Sequence, residues 1–292
     1  MNSSWSSAWR LLRIPFSLYL MPIFWFALSA TPEIEIWKAA AVFFILHILV
    51  YPASNGYNSY YDRDEGSIGG LKNPPKVTEA LYWLVLTFDI LAVVLAAFLS
   101  WSFAGLVLLY LLISKAYSYE GIRLKKFPII STLVVVVFQG AFTFLMVQVG
   151  IGTEEAGISE KTNLLLAMVS TLFLCGSYPL TQVYQHKEDA QRGDQTLSLT
   201  LGLWGTFLFA GISLLLGTAV LLYTYWLRNE LTYAAVFLVA TLPVVIVFSL
   251  WVWQVKKSAA AANFDNTMRM NKVSSLSLSF AFILMCLLRF WS

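Results

Sequence analysis

Charge is scarce in this chain: Asp, Glu, Lys and Arg make up only 12% of its 292 residues, against a hydrophobic share of 59% and a mean hydropathy of +0.71. That composition excludes an ordinary water-soluble globule and marks the long apolar runs as membrane spans. Cysteine is scarce too. Cys175 and Cys286 both fall inside apolar runs, so no disulfide framework and no cysteine-based metal site is expected. A cleavable leader is not expected either: Trp5 and Trp9 precede Arg10 and Arg13, and the apolar run that follows is long enough to span. The small net charge of +3 reflects topology and offers nothing to nucleic acid.

What is present is long and apolar. Nine helices are predicted, at 11–30, 37–60, 77–99, 102–119, 129–150, 162–184, 201–225, 232–253 and 273–291. The expected fold class is all-α, a polytopic membrane bundle, with residues 1–292 forming one domain. With the N-terminus cytoplasmic, fifteen basic residues fall on that side and four (Lys38, Lys161, Arg228 and Arg289) on the other, which sets the orientation.

The chain repeats itself at an offset of 127. Tyr51, Pro52, Asn55, Tyr57, Asn58, Asp62 and Gly66 correspond to Tyr178, Pro179, Gln182, Tyr184, Gln185, Asp189 and Gly193. Five of these seven pairs are identical, and the other two exchange one carboxamide for another. In each copy two carboxamides and an aspartate stand at i, i+3 and i+7, one face of a helix. Two such faces, both at the cytoplasmic ends of spans, imply two internally similar helix groups around one polar site. A transporter also repeats proline-broken helices, but its site belongs near the midplane and its repeats are often inverted.

Acidic groups cluster at both copies: Asp62, Asp64 and Glu65 in the first, Glu188, Asp189 and Asp194 in the second. Carboxylates at a helix C-terminus meet the negative end of its dipole and call for a cation. All-oxygen donors suit Mg²⁺ bound through few carboxylates together with substrate phosphates, so a diphosphate is the natural occupant. Within the repeat, Asn55, Asn58 and Asp62 face Gln182, Gln185 and Asp189 as the candidate donors and substrate contacts. Arg63, Arg123, Lys125, Lys126 and Arg192 supply phosphate partners. His186 is a candidate for the acceptor site or for proton removal. His47 is expected to be structural, and Asp89, in mid-span, is either a structural hydrogen-bonding group or a wall of the site.

At these residues the sequence resembles the UbiA superfamily of intramembrane prenyltransferases, which has nine membrane helices and aspartate-rich motifs after the second and sixth. Arg13, Pro15 and Pro22 echo its first helix. YSYEGIRLKKFP at 117–128 looks like its loop after helix four, which adds Tyr117 to the expected substrate contacts, and DAQRGDQTLSLTLG at 189–202 is similar to the stretch after its second motif. The chain departs from the family at three carboxylates, where it has Ser59, Gly66 and Gln185, so the resemblance implies Asp62 and Asp189 as the catalytic, metal-binding pair, with Asn58 and Gln185 as neutral metal ligands. The resemblance implies a Mg²⁺-dependent transfer of an isoprenoid chain from a prenyl diphosphate to a hydrophobic or aromatic, quinone-precursor-like acceptor. It also implies residence in a lipid bilayer, here expected to be a bacterial inner membrane with the active site cytoplasmic. A cyclase of the same fold or a noncatalytic lipid-binding protein are the alternatives.

Overall fold

The computed structural model describes residues 3–152 and 155–291, with the side chains of Ser3, Glu155, Ala156, Arg192, Phe290 and Trp291 outside that description. Among the described residues nine helices are long and apolar enough to cross a membrane: α1 (Ser4–Ala30), α2 (Ile36–Asp62), α3 (Glu79–Leu99), α4 (Trp101–Ser118), α5 (Pro128–Ile151), α6 (Lys161–Leu180), α8 (Leu197–Leu227), α9 (Leu231–Lys257) and α10 (Phe264–Arg289). A short helix, α7 (His186–Arg192), follows α6 on the side where α2 ends. No strand is formed by the described residues beyond the single bridge Ile68–Leu71.

The last helix packs on the first and closes the bundle. Phe26 of α1 stacks on Phe282 of α10 with ring centroids 4.4 Å apart, and meets Phe144 of α5 edge-on at 5.1 Å. In a bilayer this packing stabilises through close contact, because lipid tails are as apolar as the side chains. The lipid-facing helices are accordingly studded with exposed leucine, isoleucine and tryptophan.

Three irregularities shape the interior. α1 is interrupted at Arg13, which takes a left-handed conformation (φ 51°, ψ 42°). α2 passes through a π-helical turn over Ile45–Val50 before resuming at Tyr51. In that i→i−5 register Pro52 has no N–H to give His47 O, and the hydroxyl of Ser17 donates to this carbonyl instead, at 2.7 Å. α5 carries a second π turn, Phe138–Phe142, in which Gly140 leaves helical geometry (φ −94°, ψ −106°). A Cβ on Gly140 would stand 2.8 Å from the Thr171 backbone, and Thr171 Oγ1 accepts the Ala141 N–H at 3.1 Å.

Several predicted boundaries move, and α1 begins at Ser4, seven residues before the predicted start. α6 stops at Leu180, not 184, because Pro179 interrupts the helical ladder and Gln182 N turns back to Pro179 O. α10 begins at Phe264, nine residues before the predicted start, since Asn263 Oδ1 caps it by accepting from Asn266 N at 3.0 Å and its polar first turns extend beyond the apolar run.

Candidate active site

Both copies of the repeat line one cavity of about 280 Å³. Asn55, Asn58 and Asp62 project into it from one face of α2, as their spacing demands. Gln182, Gln185 and Asp189 enter from the opposite side, but not from one helix: residues 181–185 are turns, and only Asp189 is helical, on α7. The helical face expected for the second copy is therefore broken after Pro179, and the turns still deliver all three side chains.

Side chains cross-link the two copies. Gln185 Nε2 donates to Ser67 O at 3.1 Å. Glu188 packs so closely on Gly66 that an added Cβ would lie 1.8 Å from its Oε1. The hydroxyls of Tyr117 and Tyr178 meet at 2.7 Å, and Ser118 Oγ donates to Asn58 Oδ1 at 2.7 Å. The carboxylate of Asp62 is ion-paired with Lys125.

The remaining expected site residues divide. Tyr117 and Lys125 line the cavity. Arg123 stands behind it, holding the cavity-lining Asp194 at 3.1 Å. Arg63 closes α2 in a left-handed conformation (φ 49°), and its side chain lines a neighbouring pocket with Tyr60, Glu65 and Lys76 rather than the shared cavity. Lys126 is exposed. The side chain of Arg192 lies outside the described residues. His186 is not among the cavity-lining residues; its Nε2 meets Ser198 Oγ at 2.7 Å, and Ser198 meets Thr206 at 3.1 Å. Burial lowers the His186 pKa, which favours the neutral ring.

His47 and Asp89 are not among the cavity-lining residues. His47 is buried between the rings of Phe43 and Tyr51, with Nδ1 at 3.2 Å from Phe43 O. Asp89 pairs with Lys115 at 2.8 Å, and the Lys115 ammonium lies 4.7 Å from the centre of the Tyr57 ring. Tyr57, Tyr60 and Tyr61 form a ring cluster of their own, whereas Tyr117 and Tyr184 reach the cavity. Among the lining residues that sequence reasoning missed, three stand out. Arg13, marked only as an echo of the first helix, donates to Gly69 O at 3.2 Å and Asn55 O at 3.1 Å. Tyr110 and Gln139 lie in apolar runs, where periodicity gives no sign of a site.

Among the described residues no three His, Cys, Asp or Glu side chains gather closely enough to hold a metal ion by themselves. The cavity nevertheless offers only oxygen donors of the right kind, the carboxylates of Asp62, Asp64, Asp189 and Asp194 and the carboxamides of Asn58 and Gln185. That donor set fits Mg²⁺ arriving with a diphosphate, which completes the coordination that few protein carboxylates begin.

Residues 19–273 match the UbiA prenyltransferase family, and the chain belongs to it. It is an integral membrane protein with the fold of that family. Among solved structures it is similar to a UbiA homologue from Archaeoglobus fulgidus bound to GPP and Mg²⁺ (TM-score 0.67, 16% identity, 96% of this chain and 99% of that one). A UbiA homologue from Aeropyrum pernix K1 gives TM-score 0.67 at 16% identity over 93% of this chain and 98% of that one. Digeranylgeranylglyceryl phosphate synthase gives 0.63 at 17% identity over 96% and 98%. No curated protein sequence matches the chain.

Proposed function

We propose that residues 1–292 form a single catalytic domain that transfers an isoprenoid chain from a prenyl diphosphate to a lipophilic or aromatic acceptor and releases diphosphate. The observation that carries this reading is the meeting of both repeat copies in one polar cavity whose inner wall is apolar, formed by Ile113, Val134, Val135 and Phe138. The diphosphate occupies the polar end and the prenyl chain runs along the apolar wall. Relatives of the same fold were solved with GPP or DMAPP and Mg²⁺.

Asp62 and Asp189, with Asn58 and Gln185 as neutral ligands, would hold one Mg²⁺, which when bound stabilises negative charge on the diphosphate. Lys125 and Arg13 add fixed positive charge at the same end. Asn55 and Gln182 hydrogen-bond the substrate, Arg123 holds Asp194 in place, and Arg63 and Lys126 form a basic approach from the cytoplasmic side. The allylic C–O bond breaks and its electron pair leaves with the diphosphate. A carbon of the acceptor supplies the electron pair of the new C–C bond, and the proton it loses passes to the released diphosphate or water. Tyr117, Tyr178 and Tyr184 wall the cavity against water and present ring faces to the cation. His186 serves as a positioning residue for α7 through Ser198, rather than as an acceptor contact.

The basic-residue asymmetry supports a cytoplasmic N-terminus and a cytoplasmic active site. Incubating the purified protein with Mg²⁺ and labelled prenyl diphosphates, with and without aromatic acceptors, tests the assignment. Prenylated acceptor is the expected product. Cyclised hydrocarbon formed without an acceptor would make the protein a cyclase, and no diphosphate release would make it a noncatalytic lipid-binding protein.

A further inference from the structure

Past Ser54 and Ser114, the inner end of the cavity is lined by apolar side chains and one polar pair. Tyr110 of α4, only 4% exposed, lines it and interacts with the side chain of Gln139, which lines it from α5. Tyr110 is eight residues before Ser118, the partner of Asn58. At the helical rise this sets the Tyr110 level about 12 Å deeper in the membrane than the Asn58 carboxamide. Gln139 owes its direction to the π turn at Phe138–Phe142, secured by Gly140 on Thr171.

A polar pair at this depth is costly unless its capacity is used. The Gln139 carboxamide has two N–H donors and a carbonyl with two lone pairs, and a single tyrosine hydroxyl engages at most part of that set. The hydrocarbon chain of a prenyl diphosphate has nothing to offer the remainder. The partner it suits is an oxygen atom on an otherwise apolar molecule. That atom should be uncharged: among the described cavity-lining residues the cations are Arg13 and Lys125, and both are near Asp62, at the cytoplasmic end.

Resting on the prenyltransferase reading above, we infer that Tyr110 and Gln139 form the acceptor's recognition subsite, and that the acceptor is a neutral phenol- or quinol-type ring bound by a hydroxyl or carbonyl oxygen. An aromatic acid would have to leave its carboxylate at an end of the cavity that has no cation. The subsite puts the ring on the membrane side of the allylic carbon, opposite the departing diphosphate.

The test uses the full chain in detergent or nanodiscs with Mg²⁺, geranyl diphosphate as donor, and two probe acceptors, 1,4-dihydroxynaphthalene (neutral) and 4-hydroxybenzoate (anionic). The wild type should prenylate the neutral probe with the higher kcat/KM. Gln139→Leu and Tyr110→Phe should each raise KM for 1,4-dihydroxynaphthalene by about three- to tenfold, the worth of one neutral hydrogen bond, while the Kd for geranyl diphosphate stays within about twofold of wild type. An unchanged KM in both variants, or a wild-type preference for 4-hydroxybenzoate, overturns the subsite. Equal losses of geranyl diphosphate affinity and acceptor KM also overturn it, because they mark a purely structural pair. Failure of the wild type to bind geranyl diphosphate at all defeats the underlying prenyltransferase reading, a result visible before any acceptor is added.

Discussion

The ammonium of Lys125 is ion-paired with the carboxylate of Asp62, 63 residues away in sequence, and both side chains are withdrawn from solvent, at 9% and 7% exposure. The pair ties the loop after α4 to the end of α2. It also neutralises a carboxylate that would otherwise stand buried against the negative end of its helix.

Removing one partner leaves the other buried and uncompensated. Lys125→Gln should therefore lower thermal stability and weaken geranyl diphosphate binding at least about tenfold, by roughly 1.4 kcal/mol or more. Adding Asp62→Asn should restore much of the stability, since the orphan charge is gone, without restoring binding. Differential scanning fluorimetry and equilibrium binding separate the two effects.

Gly66 and Glu188 pack where no side chain fits between them. Gly66→Ala should displace the Glu188 carboxylate, the far end of a flexible side chain, at little cost in stability, and lower activity by loosening the join between the two repeats. The double variant with Glu188→Ala should recover part of that loss, a coupling that a double-mutant cycle on kcat/KM reads directly.

His186 gives the stability a pH dependence with a definite sign. Burial lowers its folded pKa below the ordinary value of 6.5, so below about pH 6.5 the unfolded chain binds more protons than the folded one. The stabilising share of the neutral ring is present above pH 6.5 and is lost as pH falls toward the folded pKa. Melting temperatures between pH 5 and 8 should show this decline, and His186→Gln should flatten it.

Much of the fold was legible in the sequence because membrane spans are written in composition. Seven of the nine predicted spans begin within four residues of the observed helices; the first begins seven residues early, at Ser4, and the last nine, because Asn263 caps a polar extension that hydropathy does not register. The repeat likewise identified Asn55, Asn58, Asp62, Gln182, Gln185 and Asp189 as cavity residues. Charge was a poorer guide. Arg63 turns away through a left-handed backbone that its identity does not announce, whereas Arg13, from a helix far from either motif, reaches the cavity through the same kind of conformation. Gln139 was hidden because its orientation depends on a π turn that helical periodicity does not anticipate.

The central claim is that the two repeat copies form one diphosphate site, and a double-mutant cycle on Mg²⁺-dependent geranyl diphosphate binding tests it most directly. Asp62→Asn and Asp189→Asn should each weaken binding strongly and lower turnover at least about 10², a loss of about 2.7 kcal/mol in transition-state stabilisation. Because both carboxylates serve the same ligand, the double variant should bind little worse than either single one, giving a coupling energy of about 1 kcal/mol or more. Strictly additive losses, or wild-type binding in either single variant, would contradict a shared site.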